Sequence, residues 1–186
     1  MKFPVTARLK DQTPVELFLA TEADVPAVEA LFQVIVEEGL SYPHQLPLTV
    51  EDVREYWFRG ASTVVAYLAG RAHNGPLLGV FYLRPNWPGR ARRVANAGFM
   101  VAPEWRRKGL GWLLGATMLD YAKSLGYRSV LFNLVFAQNV AARTLWTRLG
   151  FRDLATVPHA IDNDDGTTQD AIVMFRSLLD QESSPS

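Results

Sequence analysis

The run Arg106-Arg107-Lys108-Gly109-Leu110-Gly111 stands between an apolar strand-like segment and a long helical one, and its residue types suit an anion. A helix starting there points unpaired backbone N–H groups at one spot, on the positive end of its dipole. The glycines keep side chains from blocking close approach, and three cations stand at the rim. This composition suits a cradle for a pyrophosphate. By itself it also reads as a basic helix start loosened by glycine. Spacing narrows the choice. No Lys-Ser/Thr follows Gly111 or Gly115, as a nucleotide-hydrolysing loop needs, and Leu114 occupies the place of a dinucleotide fingerprint's third glycine.

A second group of residues carries amide chemistry. Asn133 interrupts the apolar run SVLFNLVFA. An unsatisfied amide there would cost about 1–3 kcal/mol, so it either bonds neighbouring backbone or meets a ligand. Asn96 lies in the preceding apolar strand segment. Titratable candidates are few: Glu37 and Glu38 at a helix end, and His159 in VPHA. Adjacent glutamates at a helix end are usually solvated, and a histidine beside a proline is usually a hydrogen-bonded turn residue.

The elements that must position these groups follow from periodicity. Strands are expected over 15–20, 63–69, 77–83, 94–101, 129–137, 152–158 and 171–178. A helix capped by Thr21 and Asp24 runs towards Glu38, and a second, capped by Thr49, covers 50–58. A third runs over 109–125, and Asn139 caps a fourth that ends at Leu149 before Gly150. Strand 94–101, helix and strand 129–137 form a right-handed crossover between parallel strands. The near-continuous apolar character of 129–137 is that of a strand buried on both faces. The acidic loop IDNDDGTTQ fails as a calcium loop, because isoleucines fall where carboxylates are required.

The chain has 186 residues, 48% hydrophobic and 20% charged, with 19 basic and 19 acidic side chains. One domain over residues 1–180 is expected, followed by a disordered tail, 181–186. The balanced charge gives no reason to expect nucleic acid or a membrane surface as partner. No cysteine is present, which excludes disulfides, thiolate metal sites and a covalent acyl-cysteine; no metal is expected. Neither a signal peptide nor a spanning segment is legible, so a cytoplasmic location is expected.

Arg106-x-x-Gly109-x-Gly111 between strand and helix resembles the coenzyme A pyrophosphate loop of the GNAT family of N-acetyltransferases. Asn139-x-x-Ala142-x-x-Leu145-Trp146-x-x-x-Gly150-Phe151 resembles that family's closing motif, in the right order and on the right elements. The resemblance implies an α/β (α+β) fold, a mixed sheet of about six or seven strands with helices on both faces, and a splayed parallel pair at the cofactor site. It implies acetyl-CoA as cosubstrate. A bulge near residues 99–101 would free backbone groups for the pantetheine arm, with Met100 and Val101 as contacts. Arg107, Gly109, Gly111 and Trp112 would present N–H groups to the pyrophosphate, with Arg106 and Lys108 alongside and Asn139 at the pantetheine end.

The family's usual tyrosine is here Trp146, placed at the cofactor, which donates a hydrogen bond but delivers no proton at neutral pH. A packing role suits it better. Within the family, the segments EEGLSYP, REYWF, LLGVFYLRPN, NAGFMV, FNLVFAQN, VPHA and DAIVM are similar to the fungal branch that N-acetylates azetidine-2-carboxylate and related proline analogues. That likeness implies Asn96 and Asn133 as the substrate-holding and catalytic pair. It implies direct transfer in a ternary complex, with Glu38, its neighbour Glu37 or His159 as base, or with no base if the free amine binds. Tyr42 and Trp57 wall the acceptor site or belong to the core. Other readings are a broader amine N-acetyltransferase acting on an amino acid, polyamine, antibiotic or protein terminus, and a non-catalytic acetyl-CoA-binding module. The family often dimerises, which leaves a homodimer open.

Overall fold

The structure, a computed structural model, describes residues 1–73 and 75–179; the tail 181–186 lies outside them. In chain order the elements are β1 (Val5–Arg8), β2 (Pro14–Leu19), α1 (Val25–Glu37), α2 (Val50–Val53, continued by the π-helical turn Arg54–Phe58), β3 (Ser62–Leu68), β4 (Gly79–Pro85), β5 (Val94–Val101), α3 (Leu110–Ser124), β6 (Ser129–Phe136), α4 (Val140–Arg148), β7 (Arg152–Asp162) and β8 (Thr168–Ser177). The strands form one mixed sheet in the order β1-β2-β3-β4-β5-β6-β8-β7. Every neighbouring pair is antiparallel except β5–β6.

Alternation along the central strands divides the apolar residues into two cores. Val64 and Ala66 face one side, packing with Leu110, Leu114 and Met118 of α3 and Leu149 after α4. Val65 and Tyr67 face the other, against Val28, Phe32 and Ile35 of α1 and Val53 of α2. The helices therefore lie on both faces, as expected. Their starts obey the capping signals: Asp24 accepts from the Thr21 N–H at 2.7 Å, Asp52 from Thr49 at 2.8 Å, and Asn139 Oδ1 from the Ala142 N–H at 3.0 Å.

Strand β1 is the eighth strand and was not legible in MKFPVTARL. Four residues at a sheet edge, alternating exposed and half-buried, leave too little apolar pattern to read. It matters to the site, because the turn after it hydrogen-bonds Lys10 N–H to the Lys108 carbonyl at 3.2 Å.

The parallel pair separates early. β5 and β6 register only at Val94–Ser129 and Ala95–Val130, and beyond that point they diverge. Two expectations need correcting here. β5 keeps an unbroken register with β4 from Pro85–Ala95 to Gly79–Val101, so there is no bulge at 99–101. The register shift lies in β6 instead, between Phe132 and Val135 where it pairs with β8. Nor is β6 buried throughout: Asn133 and Leu134 are exposed because β5 has left their side.

Candidate active site

The cradle is built by backbone of unusual hand. Arg107 has φ 61° and Gly109 φ 94°, and α3 starts at the next residue. The first helical bond across that start runs from the Leu113 N–H to the Gly109 carbonyl at 3.0 Å, so the amides of Leu110, Gly111 and Trp112 lack helical acceptors. A Cβ at Gly109 would lie 3.1 Å from Lys10 Cγ, and one at Gly111 would lie 3.3 Å from Leu145 Cδ2. Arg107 is exposed, Lys108 Nζ sits 4.2 Å over the Trp105 ring, and the Trp112 side chain stands open to solvent. Clustered amide donors with free cations fit a diphosphate. Arg106 differs: its guanidinium holds Glu38 at 2.6 Å and the Val101 carbonyl at 3.3 Å.

Where β5 and β6 part, a cavity of about 320 Å³ opens, lined in part by Tyr42, Arg84, Asn96, Phe99, Asn133 and Asn139. Two side chains bond to main-chain oxygens on the open side of β5: Tyr42 donates to the Phe99 carbonyl at 2.9 Å, and Arg106 to that of Val101. Within a strand, a residue's N–H and C=O point the same way and alternate. Phe99 and Val101 thus turn their main chain toward the gap, and Met100 turns its own toward β4. The Met100 side chain is only 2% exposed, in the core under α1 and α2. Met100, expected as an arm contact, thus turns neither its main chain nor its side chain toward the gap.

Asn96 and Asn133 both line the cavity. Asn133 is not left unsatisfied. Its amide N–H donates to Asn86 Oδ1 at 2.6 Å and its oxygen accepts from Asn86 at 3.1 Å. Asn139 also lines the cavity; while capping α4 it donates to the Leu40 carbonyl and Ser41 Oγ at 3.1 and 3.2 Å, tying the segment after α1 to the gap. Trp146 packs with ring centroids 4.6 Å from Phe99 and 4.9 Å from Phe132, and it also lines the cavity. Tyr42 walls the cavity, whereas Trp57 is fully buried in the core; its neighbour Tyr56 takes the wall position.

The base candidates lie elsewhere. His159 is exposed on β7, where it sits at φ 52° in the irregular register with β8 and bonds Thr168 Oγ1 at 2.7 Å. Glu37 is exposed and Glu38 is committed to Arg106. Among the described residues, neither a carboxylate nor an imidazole lines the cavity. Burial pushes the phenols of Tyr42 and Tyr56 well above their ordinary value, with neighbouring tyrosines adding to the shift, so both stay neutral. Arg84, clustered in the sequence with Arg90, Arg92 and Arg93, reads there as an anion site or a solvated hairpin end, the latter preferred. Tyr82 and Asn86 carry no signal of their own, although LLGVFYLRPN places all three at i, i+2 and i+4, on one face of a strand.

A model of the Acetyltransferase (GNAT) family matches residues 28–151. Among curated proteins, the chain is similar to N-acetyltransferase aca1 of Schizosaccharomyces pombe, 34% identical over 62% of this chain and 61% of that one. It is also similar to Protein SPT10 of Saccharomyces cerevisiae, 37% identical over 45% of this chain and 13% of that protein. The chain therefore spans about three fifths of the first of these relatives and a small part of the second. Among solved structures, a GCN5-related N-acetyltransferase from Kribbella flavida superposes with TM-score 0.80 and 36% identity, covering 88% of this chain and 97% of that one. A phosphinothricin acetyltransferase of the GNAT superfamily from Sinorhizobium meliloti, solved with acetyl-CoA, shares the fold at TM-score 0.77 and 20% identity, over 92% of each chain.

Proposed function

The chain belongs to the Acetyltransferase (GNAT) family, and on that premise we propose that it transfers acetyl from acetyl-CoA to a small imino or amino acid such as azetidine-2-carboxylate or another proline analogue. The observation that carries this reading is the early parting of β5 from β6, which opens a cavity holding Asn96 and Asn133 along the strand that leads into the amide-rich start of α3. Arg107, Lys108 and the amides of residues 109–112 would hold the diphosphate, and Phe99 and Val101 would turn main-chain donors to the arm and the thioester oxygen. Acetyl-CoA supplies an activated acyl group. The acceptor nitrogen forms the C–N bond as the C–S bond breaks, its proton passes to water, and coenzyme A leaves as thiolate.

Two features shape this chemistry. Among the described residues, no side chain lining the cavity is a base at neutral pH, so the acceptor enters as free amine. Trp146 protonates no leaving group, but a thiolate of pKa about 8.5 leaves without a dedicated acid. Asn96 and Asn133 orient the acceptor through amide donors and acceptors.

The test is thiol release by the purified chain with acetyl-CoA and azetidine-2-carboxylate, other proline analogues, spermidine or lysine peptides. Saturable release with the cyclic imino acids is expected. A preference for spermidine or peptides would overturn the choice of acceptor. The second reading, a non-catalytic acetyl-CoA-binding module, draws on Trp146 standing where the family's motif has tyrosine. Calorimetric binding of acetyl-CoA with no release on any amine would establish that module instead.

A further inference from the structure

We infer that Arg84 anchors a carboxylate in the acceptor cavity, so that the acceptor is an amine carrying an anionic group close to its nitrogen. This rests on the acetyltransferase reading above and deepens it. The cavity wall is electrostatically one-sided: among the described residues Arg84 is its one charged side chain, and no carboxylate joins it. Among the described residues no Asp or Glu lies within ion-pair distance of Arg84, although six other ion pairs form elsewhere.

The guanidinium is held rather than loose. Its carbon sits 4.6 Å from the Tyr82 ring centroid and 5.3 Å from that of Tyr56, and one nitrogen donates to the Tyr56 carbonyl at 3.3 Å. Two aromatic faces therefore fix the plane of the fork. Five N–H donors belong to a guanidinium, and this single protein bond leaves most of them free. A planar, oriented fork with free donors matches a carboxylate bidentately.

Position places the anchor next to the amide pair. Arg84 is directly opposite Asn96 in the β4–β5 register, so the two side chains share one face of the sheet. Asn86, two residues on along the chain, holds Asn133. An acceptor whose carboxylate meets Arg84 thus brings its nitrogen, two bonds from the carboxyl carbon in an imino acid, under the asparagines. The cation also disfavours an ammonium beside it, which promotes the free amine in a cavity without a base. By the same charge, polyamines and aminoglycosides meet repulsion and no compensating carboxylate.

The experiment compares azetidine-2-carboxylate with azetidine, which lacks the carboxylate, by calorimetric titration into the full chain saturated with coenzyme A. Wild type is expected to bind the carboxylate form about 10–100-fold more tightly, the range expected of a charge-assisted hydrogen bond. Arg84→Gln is expected to remove that preference without weakening azetidine binding, and Arg84→Lys to restore part of it. Coenzyme affinity and melting temperature, measured for each variant, identify any that misfolds. Equal affinity of wild type for the two amines, or an equal loss on both in Arg84→Gln with Arg84→Lys no better, overturns the anchor. Thiol release run in parallel separates the two ideas. Carboxylate-selective binding without release defeats the enzymatic reading and leaves the anchor standing, while release with no selectivity defeats the anchor alone.

Discussion

Asp24 has no exposed surface, yet its carboxylate accepts from Tyr67 Oη and the Thr21 N–H and meets His73 Nδ1, each at 2.7 Å. Burial by itself would raise its pKa, but these bonds outweigh burial and hold it below its ordinary value. The sign then follows from linkage. A carboxyl lowered in the folded state stabilises above its unfolded value of about 3.9, and that contribution is lost as pH falls through the folded value. Wild type should therefore lose urea resistance on acidification below about pH 4. Asp24→Asn should have a lower midpoint at pH 7 and a shallower acid limb. At the cavity, the lack of a base makes a different forecast. The logarithm of kcat/KM should rise linearly with pH up to the acceptor's own pKa, and His159→Ala should leave that slope unchanged. A plateau near neutrality in stopped or continuous thiol-release assays would instead reveal a protein base.

Helices α3 and α4 approach so closely at Gly115 that a Cβ there would collide with Leu149 Cδ1 and lie 3.2 Å from Trp146 Cζ3. Gly115→Val should destabilise by about 1–3 kcal/mol through overpacking, read as a lower denaturation midpoint. Combining it with Leu149→Ala should recover part of the loss, a coupling that a double-mutant cycle measures. At this scale the sequence was highly legible. The helices, seven strands and their caps follow from period and punctuation, because most of these elements bury an apolar face. What escaped depended on neighbours. β1 is too short to show a period, and Met100 reads as apolar whichever way its main chain turns. The exposure of Asn133 and Leu134 arises from the departure of β5, which no property of β6 itself encodes. The cradle was readable because glycine and cations mark backbone chemistry directly. Asn86 carries no signal, and the basic cluster holding Arg84 reads more simply as a solvated hairpin end, because the wall opposite Arg84, acid-free among the described residues, exists only in the fold.

Across the whole molecule, β1–β5 and β6-β8-β7 act as two half-sheets. The two registered pairs at Val94–Ser129 and Ala95–Val130 are the strand-to-strand connection between them. The join also draws on the packing of α3 and α4 on one face, the Asn86–Asn133 amide pair, and Asn139 reaching Leu40 and Ser41. A ligand at this join belongs to both halves at once. Acetyl-CoA should therefore raise the melting temperature in proportion to the logarithm of its concentration over Kd, and Gly109→Asp should abolish that rise. Amide exchange in β6 around residues 132–135 should slow on binding, while the β2–β3 ladder stays as it was. No helix among the described residues is long and apolar enough to cross a membrane. The short seam has a mechanical meaning as well: pulled apart across it, the protein would unzip from the open end as a partly fastened jacket does, and the bound thioester carrier would be the button.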